Sequence, residues 1–166
     1  TFDQSNWTTS VLRGDGGEIG KHAHWSWREP MLAASAVAVT ETPPDITVQQ
    51  APDGTLNLTA LAPSGAATLT LRVRTTTPGR LTTINGVATE LPLLPGKWVQ
   101  VAWATGRHPL NLAIRPGGPG QMDVRYIVTM DRWPAGVAAL PARPADLMPW
   151  DDSDSTFVVG TRAFTW

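Results

Sequence analysis

Residues 81–91 read Leu81-Thr82-Thr83-Ile84-Asn85-Gly86-Val87-Ala88-Thr89-Glu90-Leu91, two runs of apolar and β-branched residues separated by Asn-Gly. Both residues of that dipeptide tolerate positive φ, which selects a two-residue type I′ turn, so the stretch predicts a hairpin. Working outward, residues 67–77 place Leu69, Leu71 and Val73 on one face and Thr68, Thr70, Arg72 and Arg74 on the other. That is the alternation of a sheet with one dry side. On the far side of the hairpin, residues 97–105 repeat it, with Val99, Val101 and Trp103 against Gln100 and Ala102.

The same signals recur along the chain. Strands are expected over 33–41, over 45–50 after Pro43-Pro44, and over 55–61 after Pro52-Asp53-Gly54. Residues 109–115 follow, with Leu110, Leu112 and Ile114 on one face, and then 121–132, with Met122, Val124, Tyr126, Val128 and Met130 opposite Asp123, Arg125, Thr129 and Asp131. Turns spaced about 8 to 14 residues apart point to one antiparallel β-sandwich, jelly-roll or immunoglobulin-like, of about eight to ten strands. The weak alternation of residues 2–12 fits an edge strand. Pro141, Pro144 and Pro149 make 135–153 an extended connector, from which 154–166 returns as a C-terminal strand of the single domain spanning 1–166. In that last strand Phe157 and Val159 are odd, whereas Phe164 and Trp166 are even, and a bulge at Gly160 would bring all four to a common face.

At 166 residues the chain is long enough for one self-sufficient core, burying roughly 70% of its unfolded surface. A net charge of −1 with 16% charged residues excludes a nucleic-acid partner, which needs a basic surface to displace counterions. All but Lys21 and Lys97 of the 13 basic residues are arginine, a bias that genome composition explains. Cysteine is absent, which removes disulfides and thiolate zinc sites. No apolar run approaches the ~20 residues needed to span a bilayer. The sequence starts at Thr1 without Met and without a signal-like opening, and reads as part of something longer.

The chemically richest stretch is Lys21-His22-Ala23-His24-Trp25-Ser26-Trp27-Arg28, where a strand would show His22, His24, Ser26 and Arg28 on one face. Two histidines at that spacing can share a zinc ion, with Asp15, Glu18 or Glu29 as a third ligand. The alternative is a solvated polar face above Trp25 and Trp27, and no cofactor is expected in this chain. Asp151-Asp152-Ser153-Asp154-Ser155 offers hard oxygen ligands to calcium, or simply a polar turn. Gly117-Gly118-Pro119-Gly120 lacks the Lys-Ser/Thr of a phosphate loop and reads as a turn, as does Arg13-Gly14-Asp15 despite matching an adhesive tripeptide. Asn6-Trp7-Thr8 and Asn57-Leu58-Thr59 fit the glycosylation pattern. Trp7, Trp98, Trp133 and Trp150 lie off the most apolar faces or on turns and form a possible binding surface. No catalytic residue is identified, because neither a nucleophile with its base nor a complete metal set is present in the pattern.

Residues 140–166, LPARPADLMPWDDSDSTFVVGTRAFTW, resemble the C-terminus of bacterial membrane-anchored zinc peptidases related to the endoplasmic reticulum metallopeptidase. In that family an aminopeptidase-type catalytic domain precedes several transmembrane helices and a soluble β-rich domain follows them. The resemblance implies that the chain is this last domain, extracytoplasmic and periplasmic, with the catalytic or transmembrane part of the same polypeptide as its partner. None of the family's zinc or catalytic motifs occurs here, so no catalytic residue is carried over. Two other classes stay open: a carbohydrate-binding or peptide-binding sandwich using its tryptophans, and a small hydrolase using His22 and His24.

Overall fold

In the computed structural model, which describes residues 6–14, 16, 18–20, 31–34, 39–104, 108–137, 141–146 and 155–166, strands occupy the stretches whose alternation is cleanest. The elements in chain order are α1 (Asn6–Gly14), β1 (Glu18–Gly20), β2 (Met31–Ala33), β3 (Asp45–Gln50), β4 (Leu56–Leu61), β5 (Thr68–Thr75), β6 (Gly79–Ile84), β7 (Val87–Leu93), β8 (Val99–Ala104), β9 (Leu110–Pro116), β10 (Gln121–Met130) and β11 (Thr156–Thr165). They fall into two units, one of residues 1–41 with 132–155 and one of 42–131 with 156–166.

The second unit is the expected β-sandwich. Its sheets run β3-β4-β9-β6-β7 and β11-β10-β5-β8, with every neighbouring pair antiparallel. The pairs β6–β7, β5–β8 and β4–β9 are nested in the chain one inside the next. Nesting of this kind is a hairpin rolled on itself, which makes the sandwich a jelly roll rather than an immunoglobulin-like one. The innermost hairpin turns at Asn85-Gly86, whose φ values of 47° and 79° are those of a type I′ turn. Asn85 also holds the hairpin to β9: its N–H donates to the Asn111 carbonyl (2.8 Å) and its Oδ1 accepts from the Asn111 N–H (2.7 Å).

Between the sheets lie the residues that alternation assigns inward. Leu69, Leu71 and Val73 of β5 and Met122, Val124, Tyr126, Val128 and Met130 of β10 are buried from one side, and Leu56, Leu58, Leu110, Leu112 and Ile114 from the other. Each such side chain stabilises the unit by roughly 1.5–3 kcal/mol. Val99, Trp103, Val158, Phe164 and Trp166 pack against this core from its margin.

Three expectations need correction. The register of β10 and β11 runs unbroken from Gln121↔Thr165 to Met130↔Thr156, so there is no bulge at Gly160. Instead Val158 and Phe164, even residues of β11, pack against the core, while Phe157 and Val159 lie opposite Thr129 and Ile127 on the outer face. Gly160 stands opposite Tyr126, and a Cβ there would collide with the phenol ring, so glycine makes room for a buried tyrosine. The second correction is α1, which occupies part of the edge strand expected over 2–12. Trp7 and Val11, like Thr8 and Leu12, are four residues apart in sequence, a helical spacing that weak alternation hides. Arg13 in the last turn complements the carbonyl end, and Gly16, at φ 76°, donates its N–H to the Arg13 carbonyl (3.1 Å). The third is the strand over 33–41: β2 ends at Ala33, and residues 39–44 have no regular structure. Pro43 and Pro44 have no N–H to donate to a ladder.

In the first unit β1 and β2 pair antiparallel. Glu41 accepts a two-pronged fork from Arg132, with Nη1 at 2.9 Å and Nη2 at 2.6 Å, and a longer hydrogen bond from the Ala135 N–H (3.4 Å). These bonds, the Arg132 fork first among them, hold the Glu41 carboxyl below its ordinary pKa. The described parts of the Pro-rich segment, 135–137 and 141–146, contain neither helix nor strand.

Candidate functional site

The outer face of the four-stranded sheet carries the residues that alternation turns away from the core. Register sets them in rows. Gln100 of β8, Arg72 of β5 and Arg125 of β10 lie side by side, and the next row pairs Arg74 with Asp123. Further along come Ala102, Thr70 and Ile127, then Ala104, Thr68 and Thr129. The face is therefore charged at one end and small or apolar at the other.

Trp98, half-buried just before β8, sits at the charged end. The guanidinium carbons of Arg74, Arg125 and Arg72 lie 4.6, 5.4 and 5.8 Å from its ring centroid. Each is within range for attraction to the negative face of the ring, an interaction of about 0.5–2 kcal/mol depending on desolvation. Asp123 answers only one of the three: its Oδ2 accepts from Arg74 Nη2 (2.6 Å) and Nε (3.2 Å), while its Oδ1 accepts from Gln121 Nε2 (3.3 Å). Arg72 and Arg125 have no carboxylate partner among the described residues, and Arg72 Nε is buried without an acceptor. An orphaned buried donor costs about 1–3 kcal/mol. Since both Cζ atoms approach one centroid, they are within about 11 Å of each other, and at an effective dielectric of about 20 they repel by at least about 1.5 kcal/mol. The cluster thus gathers more positive charge than it neutralises. Arginine offers fixed charge and a planar fork of donors but no proton to give up at neutral pH, so the chemistry available here is recognition of an anion rather than acid–base catalysis.

A second feature of the same unit is a shallow cleft of about 260 Å³ lined by Gln50, Asp53, Arg115, Pro116, Pro119 and Trp166. The Trp166 indole N–H donates to the Gly118 carbonyl (2.8 Å), which fixes the ring in the wall. The Asp53 carboxyl is held below its ordinary pKa chiefly by the Thr55 backbone N–H (3.0 Å) and then by the Thr55 hydroxyl (3.1 Å). Those bonds close the turn between β3 and β4, so its oxygens serve the turn first.

Of the residues singled out in the sequence, Trp98 belongs to the arginine cluster. Trp133 follows β10 and is 42% exposed, and Trp7 lies in α1. His22, His24 and Trp150 lie outside the described residues, as do Asp15 and residues 151–154. Exposed His108 accepts the Trp103 indole N–H at its carbonyl (3.2 Å). Among the described residues no group of three or more His, Asp or Glu is placed to hold a metal, and no helix is long and apolar enough to cross a membrane. Alternation places Arg72, Arg74 and Arg125 on polar faces without joining them. No local motif unites residues so far apart in the chain, and only the pairing of β5 with both β8 and β10 does so. No family model, curated protein or solved structure matches the chain.

Proposed function

We propose that this chain is a non-catalytic accessory domain of a longer, membrane-anchored zinc peptidase, acting outside the cytoplasm to support or regulate the catalytic part through the outer face of its four-stranded sheet. The observation that carries the binding role is the arginine cluster around Trp98, where three guanidiniums share one ring and one carboxylate. Arginine and tryptophan are the residue types most often found to dominate protein–protein contacts. The filled core supports the same reading, since the sandwich interior is occupied by side chains and its chemistry faces outward. The peptidase context rests on the resemblance of residues 140–166. The test is to assay the purified chain on aminopeptidase and dipeptidase substrates with added zinc, beside the parent polypeptide with and without this domain. The expected result is no turnover by the chain alone and altered turnover by the parent lacking it. Turnover by the chain that survives repurification and disappears in His22→Ala sinks the proposal.

The cleft at Trp166 favours a second reading, a carbohydrate-binding module. A fixed indole beside the side chains of Gln50, Asp53 and Arg115 combines a stacking wall with planar polar groups. Glycan-array binding that vanishes in Trp166→Ala would support it.

A further inference from the structure

The arginine cluster carries a more specific statement about its ligand, one that rests on the accessory-domain reading for its biological setting but on geometry for its chemistry. Arg74 is already engaged by Asp123 and Arg72 Nε is buried, so the donors left for a ligand are the terminal Nη groups of Arg72 and the guanidinium of Arg125, residues that stand directly opposite each other on β5 and β10. Two guanidiniums gathered around one ring can offer N–H donors to both oxygens of a planar carboxylate. Trp98 keeps both guanidiniums close to one ring.

We infer that Arg72 and Arg125 form a carboxylate-binding site for an acidic peptide segment that lies across the outer face of this sheet. The face itself selects the occupant. Arg72 and Arg125 are half-buried rather than enclosed, so a small free anion would remain partly hydrated there and gain little. A peptide, by contrast, can lay its neighbouring residues over the next rows, where Ala102, Thr70 and Ile127 leave a low, weakly polar surface. A nucleic acid would need many more phosphates neutralised than three arginines opposed by Asp123 can manage, on a chain whose net charge is −1.

The experiment measures fluorescence anisotropy of a fluorescein-labelled peptide of alternating Glu and Ala with the full chain. A Gln/Ala peptide and a single-stranded oligothymidine of equal charge serve as comparators. The Glu/Ala peptide should bind, weakening with added salt, and the Gln/Ala peptide should not. Arg72→Gln and Arg125→Gln should each lower affinity by about tenfold or more, the loss of a charge-assisted pair. Arg80→Gln, which removes only the exposed pair with Glu90, should leave affinity unchanged. Arg125→Lys keeps the charge but not the fork and should also weaken binding, a check that does not depend on how the glutamine variants fold. The inference is overturned if the Glu/Ala peptide does not bind, if Arg80→Gln weakens it as much as Arg125→Gln, or if the oligothymidine binds as tightly. Should the peptide fail to bind while deleting the domain still changes the parent peptidase, the carboxylate site falls and the accessory reading stands. Should it bind as described while deletion changes nothing, the reverse holds.

Discussion

Replacing Gly160 by alanine adds one methyl group, yet it should destabilise the sandwich measurably. Gly160 is not among the residues with positive φ, so its backbone accepts alanine without strain. In a strand, alanine in place of glycine would ordinarily stabilise by about 0.5–1 kcal/mol. The reversal of sign comes from Tyr126, which is only 8% exposed and whose ring occupies the space a Cβ at 160 would need. Overpacking of this kind costs about 1–3 kcal/mol, which for a chain of this length lowers the melting temperature by about 3–10 °C. Thermal melts followed by circular dichroism, in a double-mutant cycle with Tyr126→Leu, isolate the collision: the cost of Gly160→Ala should largely vanish once the phenol is gone. An unchanged melting temperature in the single variant, or an equal loss in both backgrounds, would refute both the unbroken register of β10 with β11 and the role assigned to the glycine.

Other expectations follow from the same packing. Gly86→Val forces a β-branched residue into φ 79° and should cost about 1–2 kcal/mol, read from urea unfolding. Leu71→Ala empties a fully buried position in the centre of the core and should cost about 2–5 kcal/mol in the same assay. The Glu41 carboxyl has a folded pKa lowered from 4.5, first by its hydrogen bonds from Arg132. Its contribution to stability is therefore present above pH 4.5 and lost as pH falls through the lower folded value. Melting curves of wild type and Glu41→Gln should differ at pH 6 and draw together as pH falls below 4.5, and a gap that widens on acidification contradicts the assignment.

Much of the sandwich was legible because its strands alternate and its turns use residues with few alternatives. Asn85-Gly86 identified a hairpin on conformational grounds alone, and the inward sets of β5, β8 and β10 match the expected ones residue for residue. What local sequence could not provide was strand order, because nesting β6–β7 within β5–β8 within β4–β9 depends on contacts between distant residues. The parity argument for a bulge failed because it required Phe157 and Val159 to face the core. The outer face takes them instead, beside Ile127. Helix α1 was hidden by Thr8, Thr9 and Val11, β-branched residues whose intrinsic preference runs against the helix they occupy. Alternation leaves Trp98 off the apolar face, but its three arginines come from two strands that only tertiary pairing makes neighbours.

The central claim is that the face around Trp98 is where this domain meets its partner. It is tested most directly by peptidase activity of the parent polypeptide carrying Arg72→Gln and Arg125→Gln together, compared with wild type and with the form lacking the domain. The account predicts that the double variant, folded by circular dichroism, matches the form lacking the domain. Activity indistinguishable from wild type, in an assay where deleting the domain has a clear effect, would contradict it.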